Sequence, residues 1–132
     1  MASEHTAKAF DSDLQELTRL VAEMGGLAER MIADSVDALV RRDVALSKRV
    51  VAADVEIDRL QHTIEERAVL TIARRQPMAV DLREIVGAMR VAIDLERIGD
   101  LAKNIGKRVT AVESDFQPLQ LIRGLEHMTD LV

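Results

Sequence analysis

The sequence predicts an all-α protein, an antiparallel up-down-up three-helix bundle, and three observations carry that prediction. Apolar residues recur at spacings of three and four through three long segments. The composition suits stacked helices rather than a sheet: 48% hydrophobic, 31% charged and 2% aromatic, with no Trp or Tyr. The segments are joined by short turns, which oblige neighbouring helices to run antiparallel. At 132 residues the chain suffices for one domain with a sizeable core.

The first helix is expected to start near Thr6 or Asp11 and to run to Arg41, with Leu14, Leu17, Val21, Met24, Ala28 and Met31 as its apolar stripe. The pair Gly25–Gly26 lowers helix propensity by about 1 kcal/mol per Gly. It marks either a close helix–helix approach or a kink. Asp43 is the expected N-cap of the second helix, whose seam is Leu46, Val50, Ala53, Ile57, Leu60 and Ile64. That helix ends at "RRQP", where basic residues suit the C-terminal dipole and Pro77 stops propagation. Asp81, with Glu84 three residues on, reads as a capping box for a third helix over 82–112. Each helix of roughly 30 residues is about 45 Å long.

The tail suggests an internal repeat. "DLQELTRLV" (13–21) and "GLEHMTDLV" (124–132) align without a gap, Leu14 with Leu125 and Thr18 with Thr129 among the matches. Between the third helix and this segment lies "ESDFQP", the one stretch with linker character. The chain therefore reads as one three-helix unit (1–112), a linker (113–118) and the beginning of the first helix of a second, truncated repeat (119–132).

Several function classes are disfavoured. The net charge of −5 opposes non-specific nucleic-acid binding, which depends on phosphate neutralisation by Lys and Arg. Bases would also find no aromatic platform. With no Cys, any metal must take oxygen or His ligands. The N-terminus has neither a basic segment nor an apolar core of a signal peptide, and no apolar run approaches the roughly 20 residues of a membrane span. A cytoplasmic protein without direct membrane insertion is expected.

The most informative feature is a set of paired carboxylates. Glu96 and Asp100 in "LERIGD" stand four residues apart on one side of the third helix, a mildly unfavourable like-charge arrangement. On a helical wheel the first half of this helix is apolar along Leu82, Ile85, Val86, Met89 and Ile93. The second half is apolar on nearly the opposite side, along Leu95, Ile98, Leu101, Ala102, Ile105 and Val109. Glu96 and Asp100 continue the first stripe, so they are expected in line with a packed groove that turns polar.

On the second helix Asp54 and Asp58 form a matching pair, within roughly 60–100° of the seam. Glu65 follows along the same ridge. Four carboxylates converging across two antiparallel helices repel unless a positive charge lies between them. A divalent or trivalent metal suits such hard oxygen ligands. The alternative is a salt-bridge network through Arg59, Arg97 and Lys103. His62, four residues after Asp58, reads as a solvated side chain.

Together, "MGGLAERMI", "VDALVRRD", "VVAADVEIDRLQHTIEE", "IARRQPMAVDLREI" and "DLERIGDLAKNIGKRV" resemble the first repeat of the PhoU family of bacterial phosphate-signalling regulators, over about residues 5 to 112. The combination "RRQPMAVDLR", "DLERIGD" and "KNI" is highly specific. The resemblance implies two tandem three-helix bundles, of which this chain carries one PhoU-type repeat. It implies a metal ion, iron or else zinc, manganese or magnesium, at Asp54, Asp58, Glu96 and Asp100. It also implies a non-enzymatic adaptor, a negative regulator between the phosphate ABC transporter ATPase and a phosphate-sensor histidine kinase. A homodimer, or exchange of the last helix, is the expected way to cover surface that a missing second bundle leaves open.

Three other readings compete. A ferritin-type di-iron enzyme needs Glu-x-x-His on facing helices, and no Glu in this chain has His three residues on. A PhoU-like regulatory domain of a phosphate transporter would use the same fold beside a membrane partner. A metal-free helical interaction module would use the bundle surface alone.

Overall fold

Three long helices account for the described chain: α1 (Ala2–Arg41), α2 (Val44–Arg75) and α3 (Ala79–Asp115). The structure is a computed structural model and describes the backbone of residues 2–115 and the side chains of residues 7–112. All three pairs of helices pack against one another. Residues paired across α2 and α3 set the direction: Thr110 lies against Ser47, Lys103 against Asp54 and Gly99 against Ile57. Numbers rise along one helix as they fall along the other, so the two are antiparallel. Arg75, at the end of α2, reaches Asp13 near the start of α1, which makes that pair antiparallel too. The up-down-up bundle is the predicted fold.

Its core follows a seven-residue repeat. Buried positions recur at Leu17, Met24, Met31 and Ala38 on α1, at Val50, Ile57, Ile64 and Thr71 on α2, and at Ile85, Ala92, Gly99 and Gly106 on α3. A strict seven-residue period keeps the seams in register along helices of this length, as in a coiled coil. On α3 the seam is built largely from small residues, which lets α2 approach closely. A Cβ at Gly106 would stand 3.0 Å from the Ser47 carbonyl oxygen, and one at Gly99 would stand 3.1 Å from Ile57 Cγ2.

The helix ends mostly match the sequence reading. Asp43 has extended backbone and its side chain accepts from the Leu46 N–H at 3.0 Å, an N-cap. Gln76 closes α2 in the left-handed conformation with φ 46°, its N–H bonded to the Ile72 carbonyl, and Pro77 follows. Helix α1 begins at Ala2, before the expected Thr6 or Asp11, since no Pro or Gly interrupts residues 2–11.

Two local expectations need correction. There is no capping box at Asp81: α3 starts at Ala79, directly after the Pro77 turn, and the Leu82 N–H bonds the Met78 carbonyl. Asp81 instead lies in the first turn, where its charge suits the helix dipole. The close approach expected at Gly25–Gly26 occurs elsewhere, at Gly99 and Gly106. Around Gly25 the nearest foreign atom is Leu95 Cδ1, at an ordinary 3.9 Å, and α1 is continuous through the pair. Helix α3 continues through residues 113–115 of the expected linker. Residues 116–132, and with them the expected start of a second repeat, lie outside the described residues.

Candidate metal centre between α2 and α3

Asp54 is the unusual residue of the site. It lies four residues after Val50 and three before Ile57, so it sits in the α2 seam and not beside it, and only 5% of it is exposed. The expected offset of Asp54 from the seam is thus corrected. Half-buried Ala53 yields that place, because the seven-residue period that carries Ser47 inward also carries Asp54 inward. Oδ2 of Asp54 accepts a hydrogen bond from Lys103 Nζ at 3.0 Å. Oδ1 is buried and has no hydrogen-bond partner. An ionised carboxylate in a seam with one oxygen unsatisfied is costly, and such groups call for an explanation.

The α3 pair lies alongside. Glu96 and Asp100 are half-buried. They do not continue a buried stripe, because the apolar side of α3 does not change over midway. Leu82, Ile93, Ile98 and Leu101 are exposed, and the seam runs instead through Ile85, Ala92, Gly99, Ala102, Gly106 and Val109. A wheel weighted by large apolar residues missed the small ones that fit against α2. Glu96 and Asp100 therefore flank the seam. Burial pushes the Glu96 carboxyl above the usual carboxylate range, helped by its hydrogen bond with Asp100 and by the charges of Asp100, Asp58 and Asp54. Asp58, one turn beyond Asp54, is exposed.

The four predicted carboxylates therefore share one electrostatic neighbourhood across the α2–α3 groove. Glu65 and His62 are exposed farther along α2 and take no part. Of the three candidate cations, only Lys103 joins the cluster. Arg59 turns to Glu56 and Arg97 to Asp94, each on its own helix. The hydrogen bond to Asp54 raises the Lys103 pKa, and the charges of Asp54, Asp100 and Asp58 add to this.

One ammonium thus meets the charges of Asp54, Asp58 and Asp100, with Glu96 beside them. The donor set is all hard oxygen, and the buried, unpartnered Asp54 Oδ1 is an acceptor in want of a cation; both fit a divalent or trivalent metal. In this conformation no group of three or more His, Cys, Asp or Glu among the described residues is arranged to hold an ion. Reasoning from sequence named Lys103 as a salt-bridge partner for these carboxylates but did not single out Asp54 as its partner. The signal was available, since the 47–54 spacing on α2 matches the 103–110 spacing on α3. Ser47 and Thr110 hydroxyls meet at 2.8 Å one repeat away.

No helix among the described residues is long and apolar enough to cross a membrane. The PhoU domain family model matches residues 21–109. A phosphate-specific transport system accessory protein PhoU homolog from Rhizobium meliloti (strain 1021) is 54% identical over 131 residues, which are 99% of this chain and 55% of that protein. The homolog from Caulobacter vibrioides (strain NA1000 / CB15N) is 47% identical over 130 residues, 98% of this chain and 56% of its own. The crystal structure of PhoU from Pseudomonas aeruginosa superimposes with a TM-score of 0.78 at 36% identity, covering 81% of this chain and 51% of that one. The chain spans about half the length of the curated relatives it matches.

Proposed function

Because this chain belongs to the PhoU family, whose members are accessory proteins rather than enzymes, we propose that it serves as a regulatory module of phosphate uptake. In this reading it is a cytoplasmic negative regulator, an adaptor that couples the ATPase of a phosphate ABC transporter to a phosphate-sensor histidine kinase. The observation that carries the reading is the 54% identity across nearly the whole chain to a phosphate-transport accessory protein. The bundle supports it physically: a long helical surface with exposed Val36, Leu39, Val40, Ile98 and Leu101 offers apolar area for docking to partners or to a second copy in a homodimer.

The same proposal assigns a metal ion to Asp54, Asp58, Glu96 and Asp100. Iron is the first candidate, with zinc, manganese and magnesium behind it. When bound, the ion would supply positive charge that ties α2 to α3 through carboxylate oxygens. Asp54 would anchor it from within the seam, and Asp58, Glu96 and Asp100 would close around it from the groove.

A second reading, a metal-free interaction bundle, draws on Lys103, which already partners Asp54. A pull-down with the purified chain, against the transporter ATPase and against the cytoplasmic part of the sensor kinase, tests the adaptor role. Capture of both partners is expected. Capture of neither, by this chain or by a version extended to the full length of its relatives, would overturn it.

A further inference from the structure

Lys103 occupies the place where a cation is needed. Its ammonium is 3.0 Å from Asp54 Oδ2 and close enough to Asp100 and Asp58 to feel both charges. Among the described residues it is the candidate cation that reaches the cluster, since Arg59 and Arg97 are engaged elsewhere. Its side chain is 30% exposed, so it has room to move into solvent, whereas the Asp54 side chain at 7% does not. We propose that the Lys103 ammonium and a metal ion are mutually exclusive occupants of the Asp54–Asp58–Glu96–Asp100 cluster, Lys103 being a resident counter-ion that must leave Asp54 before an ion can bind.

Three facts make this exchange physically coherent. Asp54 is fixed in the seam between Val50 and Ile57, so it cannot relax outward when its partner leaves; something positive must replace it. A four-carbon lysine stem can swing off its partner and keep its charge in water. An ammonium next to a multivalent cation is a like-charge contact, so the two disfavour each other on the same carboxylate. In the structure Lys103 holds Asp54, and no three ligands among the described residues are arranged around an ion. Loading then breaks one cross-helix contact, Lys103–Asp54, and makes new ones between the same helices. Ser47–Thr110, one repeat along, is a separate cross-helix contact that the exchange does not involve.

This inference rests on the metal reading above, and its test separates the two. Mn²⁺ is titrated by calorimetry and by electron paramagnetic resonance into the wild-type chain, Lys103→Gln and Lys103→Arg. The expected result is that Lys103→Gln binds Mn²⁺ at least about tenfold more tightly than wild type, because a repelling charge is gone. Its melting temperature, lowered without metal, should recover when Mn²⁺ is added. Lys103→Arg should bind no more tightly than wild type.

Equal or weaker binding by Lys103→Gln, with wild type binding normally, would overturn the exclusion and leave the metal site standing. No binding by any of the three chains would overturn both. Should Lys103→Gln fail to fold, the wild type decides through its lysines, reductively methylated with ¹³C and titrated with Zn²⁺. The Lys103 signal should move to the position of solvent-exposed lysines, and a signal that stays in place would overturn the proposal.

Discussion

Lys103 Nζ lies 3.0 Å from Oδ2 of Asp54, and this contact joins a surface residue of α3 to a carboxylate embedded in the seam of α2. A seam position normally belongs to an apolar residue, and the neighbours Val50 and Ile57 obey that rule. Keeping an Asp there sacrifices stability, which is the usual mark of a functional site. Asp54→Leu is expected to raise the stability of metal-free protein by about 1–2 kcal/mol, as buried ionic groups replaced by apolar ones of similar size often do. Chemical denaturation reads this directly. A loss of stability in Asp54→Leu would mean that the ion pair holds the bundle together.

Gly87 and Gly106 occupy the same helix and should respond in opposite directions. Nothing stands within 4 Å of a Cβ built on Gly87, so Gly87→Ala should stabilise by about 0.5–1 kcal/mol through helix propensity and lost unfolded-state entropy. At Gly106 the added methyl meets the Ser47 carbonyl at 3.0 Å and Val51 Cγ2 at 3.1 Å. Gly106→Ala should therefore destabilise by about 1–3 kcal/mol, despite the better helix former. Thermal melts of the two variants settle the contrast.

The cap at Asp43 is a local test of the α1–α2 turn. Its side chain satisfies the Leu46 N–H, and Asp43→Ala leaves that donor to water. A loss of about 1 kcal/mol is expected by denaturation, with helicity otherwise intact. An unchanged midpoint would show that the turn is held by packing alone.

The bundle was legible because its signals are periodic and long. Thirty-residue segments of three-and-four spacing, Asp43 before the second and Pro77 before the third, leave few alternatives to three antiparallel helices. The site was legible only in part. Glu96, Asp100, Asp54 and Asp58 could be chosen from spacing and resemblance, and all four do fall along the α2–α3 groove. Their depths were misjudged because the α3 seam is written in Ala and Gly, which carry little hydrophobic signal. Ala92, Gly99 and Gly106 bury through the close approach of α2, a tertiary property. The same approach draws Asp54 inward, and no property of Asp itself announces that.

Glu96 should give the metal-free protein a distinctive pH dependence. Its folded pKa is raised above the value of about 4.3 in an unfolded chain. The folded state therefore binds the proton more tightly, and its contribution is fully present below the unfolded value. That stabilisation is lost as pH rises through the folded value. Glu96→Gln removes the effect, so with chelator present its melting temperature should exceed wild type by about 1–2 °C at pH 7. The difference should vanish near pH 4. A difference that does not vary with pH would assign the effect to packing.

Metal content is the most direct test of the carboxylate cluster. Protein purified without chelator and analysed by inductively coupled plasma mass spectrometry should carry a stoichiometric ion. The Glu96→Ala/Asp100→Ala variant should lose it while its circular dichroism remains helical. Wild-type protein that contains no ion, and gains neither ion nor thermal stability when iron, zinc or manganese is added, would contradict the account.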